Sequence, residues 1–217
     1  MNIQQLIDDI AADVRPYLAQ AAPADYSPAL AGEDPQQFAM AVATLDGQLY
    51  ATGHSDKRFS IQSISKAFML ARVLAVYGDA LWQRVGKEPS GNPFNSLVQL
   101  EYEQGVPRNP FINAGALVVT DIALSQIGDS SSALRDFLRE ESAQPALDFD
   151  YVIAASESEH GHRNAALAHF MKSCGNLHNN VEQVLAHYRW KASWLDSNQT
   201  SVGSQTWAQT QRSLGQL

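Results

Sequence analysis

The chain has 217 residues, with 15 Lys and Arg against 23 Asp and Glu, for a formal net charge of −8. That length supports a real hydrophobic core, and the acidic balance, with no clustered Lys or Arg, excludes a nucleic-acid backbone as partner. No apolar run is long enough to span a bilayer, and the polar, acidic Met1–Asp9 segment does not read as a secretory signal, so a cytoplasmic protein without membrane partners is expected. The single cysteine, Cys174, excludes an intramolecular disulfide and a multi-thiolate metal site.

In chain order, Ile3, Leu6, Ile7, Ile10 and Val14 recur at helical spacing and predict a first helix that stops at Pro16. Phe38–Leu45 and Gln48–Thr52 flank Asp46-Gly47, which predicts a hairpin with a two-residue turn. From Ile64, apolar residues at 68, 71, 74 and 75 line one helical face, and Gly78 supplies a stop. The stretch from Trp82 to Ala114 holds four Pro and three Gly and reads as an extended loop region. Further helices are expected over 116–126, 132–141, 163–172 and 181–188. Residues 189–217 differ in character: three of the four Trp, five Gln, eight Ser or Thr, no Pro and no Glu, without a period of 2 or 3.6. Two domains of unequal standing follow, 1–188 as the folded unit and 189–217 as an atypical tail.

Four places carry candidate chemistry. Ser63 and Lys66 lie one helical turn apart where the hairpin region passes into a helix. A serine hydroxyl needs an adjacent base to attack a carbonyl, and a lysine becomes that base if burial lowers its pKa. A Ser-x-x-Lys match also arises by chance about every second time in a chain this rich in Ser, so the spacing is weak alone. Asn113 sits in Asn109-Pro110-Phe111-Ile112-Asn113-Ala114-Gly115-Ala116, at the entry to a helix, and has the ordinary alternative of an N-cap. Glu157 and Asn164 are seven apart, two turns if one helix carries both, and so could face one cleft; either is by default an exposed polar residue. Tyr26 and Tyr188 read first as amphipathic residues at the edge of a core. His160-Gly161-His162 lacks a further ligand group, so no metal is assigned.

Asp25-Tyr26-Ser27-Pro28, Val42–Gly47, Gln62-Ser63 with Lys66, Val85–Gly91, Asn109–Ala116, Ser156-Glu157 with Arg163-Asn164, and Tyr188 together resemble the serine-dependent bacterial glutaminases, in order and spacing, over about residues 3–188. The resemblance implies an α+β fold like that of serine β-lactamases and DD-peptidases, an antiparallel sheet beside a helical subdomain. It implies hydrolysis of L-glutamine to L-glutamate and ammonia without a cofactor, in a homo-oligomer. Ser63 would be the nucleophile, Lys66 its base and Tyr26 a further hydroxyl near the pair. Asn113, Glu157, Asn164 and Tyr188, with Ser63, would bind the substrate. Family members also carry a Lys-Ser-Gly-type strand that supplies an oxyanion donor, and no Lys-Ser-Gly or Lys-Thr-Gly occurs in these 217 residues. The C-terminal sheet strands are therefore expected to be missing and residues 189–217 to arise from a reading-frame change. The rivals are a truncated, inactive subunit or glutamine-binding pseudoenzyme, and another Ser-Lys acyl hydrolase.

Overall fold

A computed structural model of the chain describes residues 2–20, 28–57, 59–192 and 194–195. Tyr26 and most of the tail expected from residue 189 onward lie outside the described residues. The chain forms two compact units: Met1–Ser60 with Asp136–Asp148 and Leu195–Leu217, and Ile61–Arg135 with Phe149–Trp194.

In the first unit, helix α1 (Ile3–Leu18) starts at Asn2, whose side chain accepts from the Gln5 backbone N–H. It buries Ile7, from the predicted stripe, and Ala11 one turn later, whereas Leu6 of that stripe is exposed. Pro16 does not end it, contrary to expectation. At that position, one turn from the C-terminus, proline removes a single backbone hydrogen bond, and the helix closes two residues later. A four-residue helix α2 (Pro28–Ala31) follows. Strands β1 (Ala39–Ala43) and β2 (Leu49–Gly53) pair antiparallel, with Ala41 opposite Ala51. The hairpin is where the sequence places it, but its turn is one residue longer: Thr44 donates to Gln48 O, so Leu45-Asp46-Gly47 make the loop, with Gly47 at φ +89°. A three-residue loop ending in a left-handed residue is the usual alternative to the two-residue turn. Helix α1 packs on β2, and Gln4 Nε2 donates to Ala51 O at 3.1 Å. No residue of either strand is fully buried.

The second unit is helical. A 3₁₀ turn (Gln62–Ile64) leads into α3 (Ser65–Tyr77), which ends at Gly78 as expected, with Gly78 at φ +60° and its N–H on Leu74 O. The Gly- and Pro-rich stretch is not wholly extended: it holds a 3₁₀ turn (Gly78–Gln83) and the short helix α4 (Leu97–Tyr102), which Ser96 caps by accepting from Gln99 N. Around α4 the chain pairs with itself, Gly86 N on Pro107 O and Glu88 N on Arg108 O. Helix α5 (Asn113–Ile127) begins three residues earlier than expected. The Asn109 side chain accepts from Phe111 N and Ile112 N and makes the turn that launches it. Every residue of α5 from Asn113 to Ala123 is buried, as befits a helix packed on α3, α8 and α9. Helix α6 (Ser130–Ser142) runs through the boundary between the units; α7 (Tyr151–His160), which the sequence did not suggest, α8 (His162–Ser173) and α9 (Val181–Ala192) complete the unit. Among the described residues no helix is long and apolar enough to cross a membrane.

Candidate active site

The second unit contains a cleft lined by Gln62, Ser63, Ser65, Lys66, Ala116 and Tyr188. Ser63 occupies the 3₁₀ turn and is exposed, whereas Lys66, in the first turn of α3, is 8 % exposed. Two features build this corner. Gln62 takes a positive φ of 42°, uncommon for a residue with a β-carbon, and the Ser65 hydroxyl donates to Gln62 O at 2.7 Å, closing the turn. The chain is thus bent sharply at the residue before Ser63, which leaves the serine at the mouth of the cleft and puts the lysine stem inside.

Lys66 Nζ donates to Asn113 Oδ1 at 2.7 Å and to Phe111 O at 3.0 Å. Asn113 Nδ2 in turn donates to Asn164 Oδ1 at 2.9 Å. Asn113 is therefore not the cap of α5: the cap position belongs to Ile112, without a side-chain bond, and the asparagine amide links the lysine to Asn164 instead. No hydrogen bond joins Lys66 to Ser63 among the described residues, although both line the cleft. Both of the lysine's bonds are donated to oxygens, which the ammonium and the neutral amine can each do.

Glu157 and Asn164 do not share a helix. Glu157 belongs to α7 and Asn164 to α8, because the chain breaks at Gly161, where a β-carbon would stand 2.7 Å from Glu157 O. The break replaces one straight two-turn spacing by two helices, and Glu157 reaches the site by another route, through a hydrogen bond with the Gln62 side chain. Tyr188, 9 % exposed on α9, reaches the cleft wall directly.

Electrostatics follow from burial. Loss of hydration lowers the Lys66 ammonium from its ordinary 10.5 to about 8, with Glu157 opposing the shift. The same effect raises the Glu157 carboxyl from 4.5 to about 7, against the Gln62 hydrogen bond and the positive charges of Arg189 and Lys66. A lysine at about 8 can exchange a proton near neutral pH, which an exposed lysine cannot.

Sequence reasoning assigned no role to Gln62 or Arg189. Gln62 adjoins Ser63 in the motif, but nothing in a glutamine announces a left-handed backbone. Arg189, whose Nη1 donates to Ser158 Oγ at 2.8 Å, follows Tyr188 on α9. Among the described residues no group of three or more His, Cys, Asp or Glu could hold a metal ion.

A family profile described as Glutaminase matches residues 22–209. The chain belongs to the glutaminase family. A glutaminase of Streptomyces coelicolor is 60 % identical over 140 residues, 64 % of this chain and 46 % of the relative. One of Paraburkholderia phytofirmans is 49 % identical over 188 residues, 87 % of this chain and 62 % of the relative. Among solved structures, the probable glutaminase ybaS superposes with a TM-score of 0.79 at 30 % identity, over 89 % of this chain and 63 % of that one. The probable glutaminase of Bacillus subtilis gives 0.79 at 28 %, over 90 % and 61 %. The fold is accordingly the serine β-lactamase-like fold of the glutaminases, and the chain spans less than two thirds of the length of these relatives.

Proposed function

We propose that the cleft is a glutaminase site, in which Ser63 attacks the side-chain amide of L-glutamine and Lys66 carries the proton. The observation that supports this most is the buried Lys66, brought to about 8 beside a serine in one cleft and ringed by Asn113, Asn164, Glu157 and Tyr188. Unprotonated Lys66 Nζ takes the Ser63 proton as Oγ bonds to the amide carbon. The same proton then passes to the departing nitrogen, which leaves as ammonia, and an ester remains on Ser63. Water attacks the ester and gives its proton to Lys66, which passes it to Ser63 Oγ as the carbon–oxygen bond breaks and L-glutamate leaves. Tyr26 is a further hydroxyl for this relay on the strength of the family resemblance.

The substrate's α-ammonium calls for a carboxylate, which Glu157 offers, and its α-carboxylate for neutral donors, which Asn113, Asn164 and Tyr188 offer. Fixing both ends holds the amide against Ser63. Solved structures titled as Mglu in its glutamate form and in its tris and glutamate form superpose on 87 % of this chain, in keeping with such a ligand. Action without a cofactor, a cytoplasmic location and homo-oligomeric assembly belong to the same proposal and rest on the family resemblance.

The 217 residues alone are expected to turn over slowly. They hold no Lys-Ser-Gly segment, and the loss of one oxyanion donor costs about 10²- to 10³-fold in rate. A glutamine-binding protein with little turnover is thus the second reading, favoured by the absence of a Ser63–Lys66 hydrogen bond. Ammonia release from glutamine, with calorimetric titration of L-glutamate alongside, separates the two: binding with no Ser63-dependent ammonia supports the second, and neither binding nor ammonia removes both.

A further inference from the structure

Away from the cleft, the second unit buries an ion pair that the chemistry above does not use. Asp121 lies two turns after Asn113 on α5, is fully buried, and accepts from Arg84 Nη2 at 2.6 Å. Its carboxylate accepts three further bonds, from His178 N at 3.0 Å, Asn179 N at 2.8 Å and Asn179 Nδ2 at 2.9 Å. Asn179 Nδ2 also reaches Asp121 O, at 2.8 Å. Arg84 in turn donates to Asn176 O at 2.8 Å, and Asn176 Nδ2 donates to Arg84 O at 3.0 Å and Gly105 O at 2.8 Å. Although burial alone would raise the Asp121 carboxyl, the hydrogen bonds from His178, Arg84 and Asn179 hold it below the ordinary range.

A buried ion pair is weak grounds for stability, since apolar residues of the same volume often serve as well. Directional bonds are more exacting about register than apolar contact. Residues 178 and 179, whose N–H groups are bound to one carboxylate, stand three and two positions before α9, and α9 carries Tyr188. The buried apolar residues Val181, Val184 and Leu185 choose which face of α9 meets the core, and the bonds to Asp121 add a fixed point for the start of the helix against α5. A slip of one residue rotates a helix by about 100° and would turn Tyr188 out of the cleft.

We propose that Asp121, with Arg84, is a positioning residue: it locks the start of α9 to α5 so that Tyr188 on one and Asn113 on the other face the same substrate end. This rests on the glutaminase reading for what is being positioned, but the lock itself is tested independently of it. The whole chain carrying Asp121→Asn is compared with the parent by hydrogen–deuterium exchange and by calorimetry with L-glutamate. Expected is exchange faster by at least about tenfold in residues 176–188, with 65–77 unchanged, and L-glutamate binding weakened by at least about tenfold. Exchange that rises equally in both segments, or not at all in 176–188, overturns the proposal, because an ordinary stabilising pair would loosen the unit as a whole. If the parent neither binds L-glutamate nor releases ammonia from glutamine, the glutaminase reading fails while the exchange result still decides the lock. Should Asp121→Asn not fold, Asn179→Ala leaves the ion pair intact and removes the side-chain arm of the lock, and the same local exchange decides.

Discussion

The hairpin of the first unit and helix α5 of the second are both built largely from apolar residues, yet they reach different degrees of burial. Val73, Leu117, Val118, Leu167, Met171 and Val184 retain 0 % exposure in the second unit, whereas β1 and β2 include no fully buried residue. A helix such as α5 can be surrounded on all sides by its neighbours. A two-stranded hairpin closes only one pairing edge and relies on further strands or helices for its faces. One part of the candidate chemistry depends on burial: Lys66 is lowered to about 8 because its surroundings exclude water, a condition the hairpin does not provide.

The sharpest way to break this comparison is at the serine. Ser63→Ala is expected to reduce any glutamine hydrolysis to the reagent blank in an ammonia-release assay, since the other hydroxyl at the bend, that of Ser65, is bonded to Gln62 O; surviving activity would place the chemistry elsewhere. Next in size, Leu117→Ala in α5 is expected to cost about 2–5 kcal/mol in denaturant unfolding. Gly115→Ala follows at about 1–3 kcal/mol, because its β-carbon would stand 1.9 Å from Asn109 O, so backbone must move.

pH offers a test of the same cleft through its charges. Lys66 must be unprotonated to accept the serine proton and Glu157 ionised to hold an α-ammonium, so both titrations, at about 8 and about 7, act in one direction. The rate kcat/KM should rise with pH across that window, by about tenfold per unit where a single deprotonation limits. Lys66→Arg should remove the part of the rise near 8, because a guanidinium keeps its proton, and leave only the part near 7 due to Glu157 in any activity that survives. Smallest, Val42→Ala in β1 is expected to cost about 1 kcal/mol or less, the half-buried counterpart of Leu117→Ala. Equal costs at the two positions would show that the hairpin is as well covered as the helices.

Much of the site was legible because its residues announce themselves locally. Ser63 and Lys66 are one turn apart on any helix, and a run of turn-formers before small residues does predict a helix entry at Asn109–Ala116. What misled was treating neighbours in sequence as neighbours on one element. Asn113 looks like a cap, but Asn109 makes the turn and frees the Asn113 amide for Lys66. Glu157 and Asn164 look like one helical face, but Gly161 divides them. Asp121 has no local signal at all, since an aspartate amid apolar residues gains meaning only from partners 37 and 57 positions away.

Periodicity, turn chemistry and motif order are properties of short stretches of chain, and from them the amino-acid sequence determined the helices, the hairpin and the residues that resemble a glutaminase. Burial is a property of what surrounds a group. Only the tertiary structure could decide that Lys66 loses its hydration, that Glu157 faces it from another helix, and that a carboxylate on α5 holds residues 178 and 179 ahead of α9.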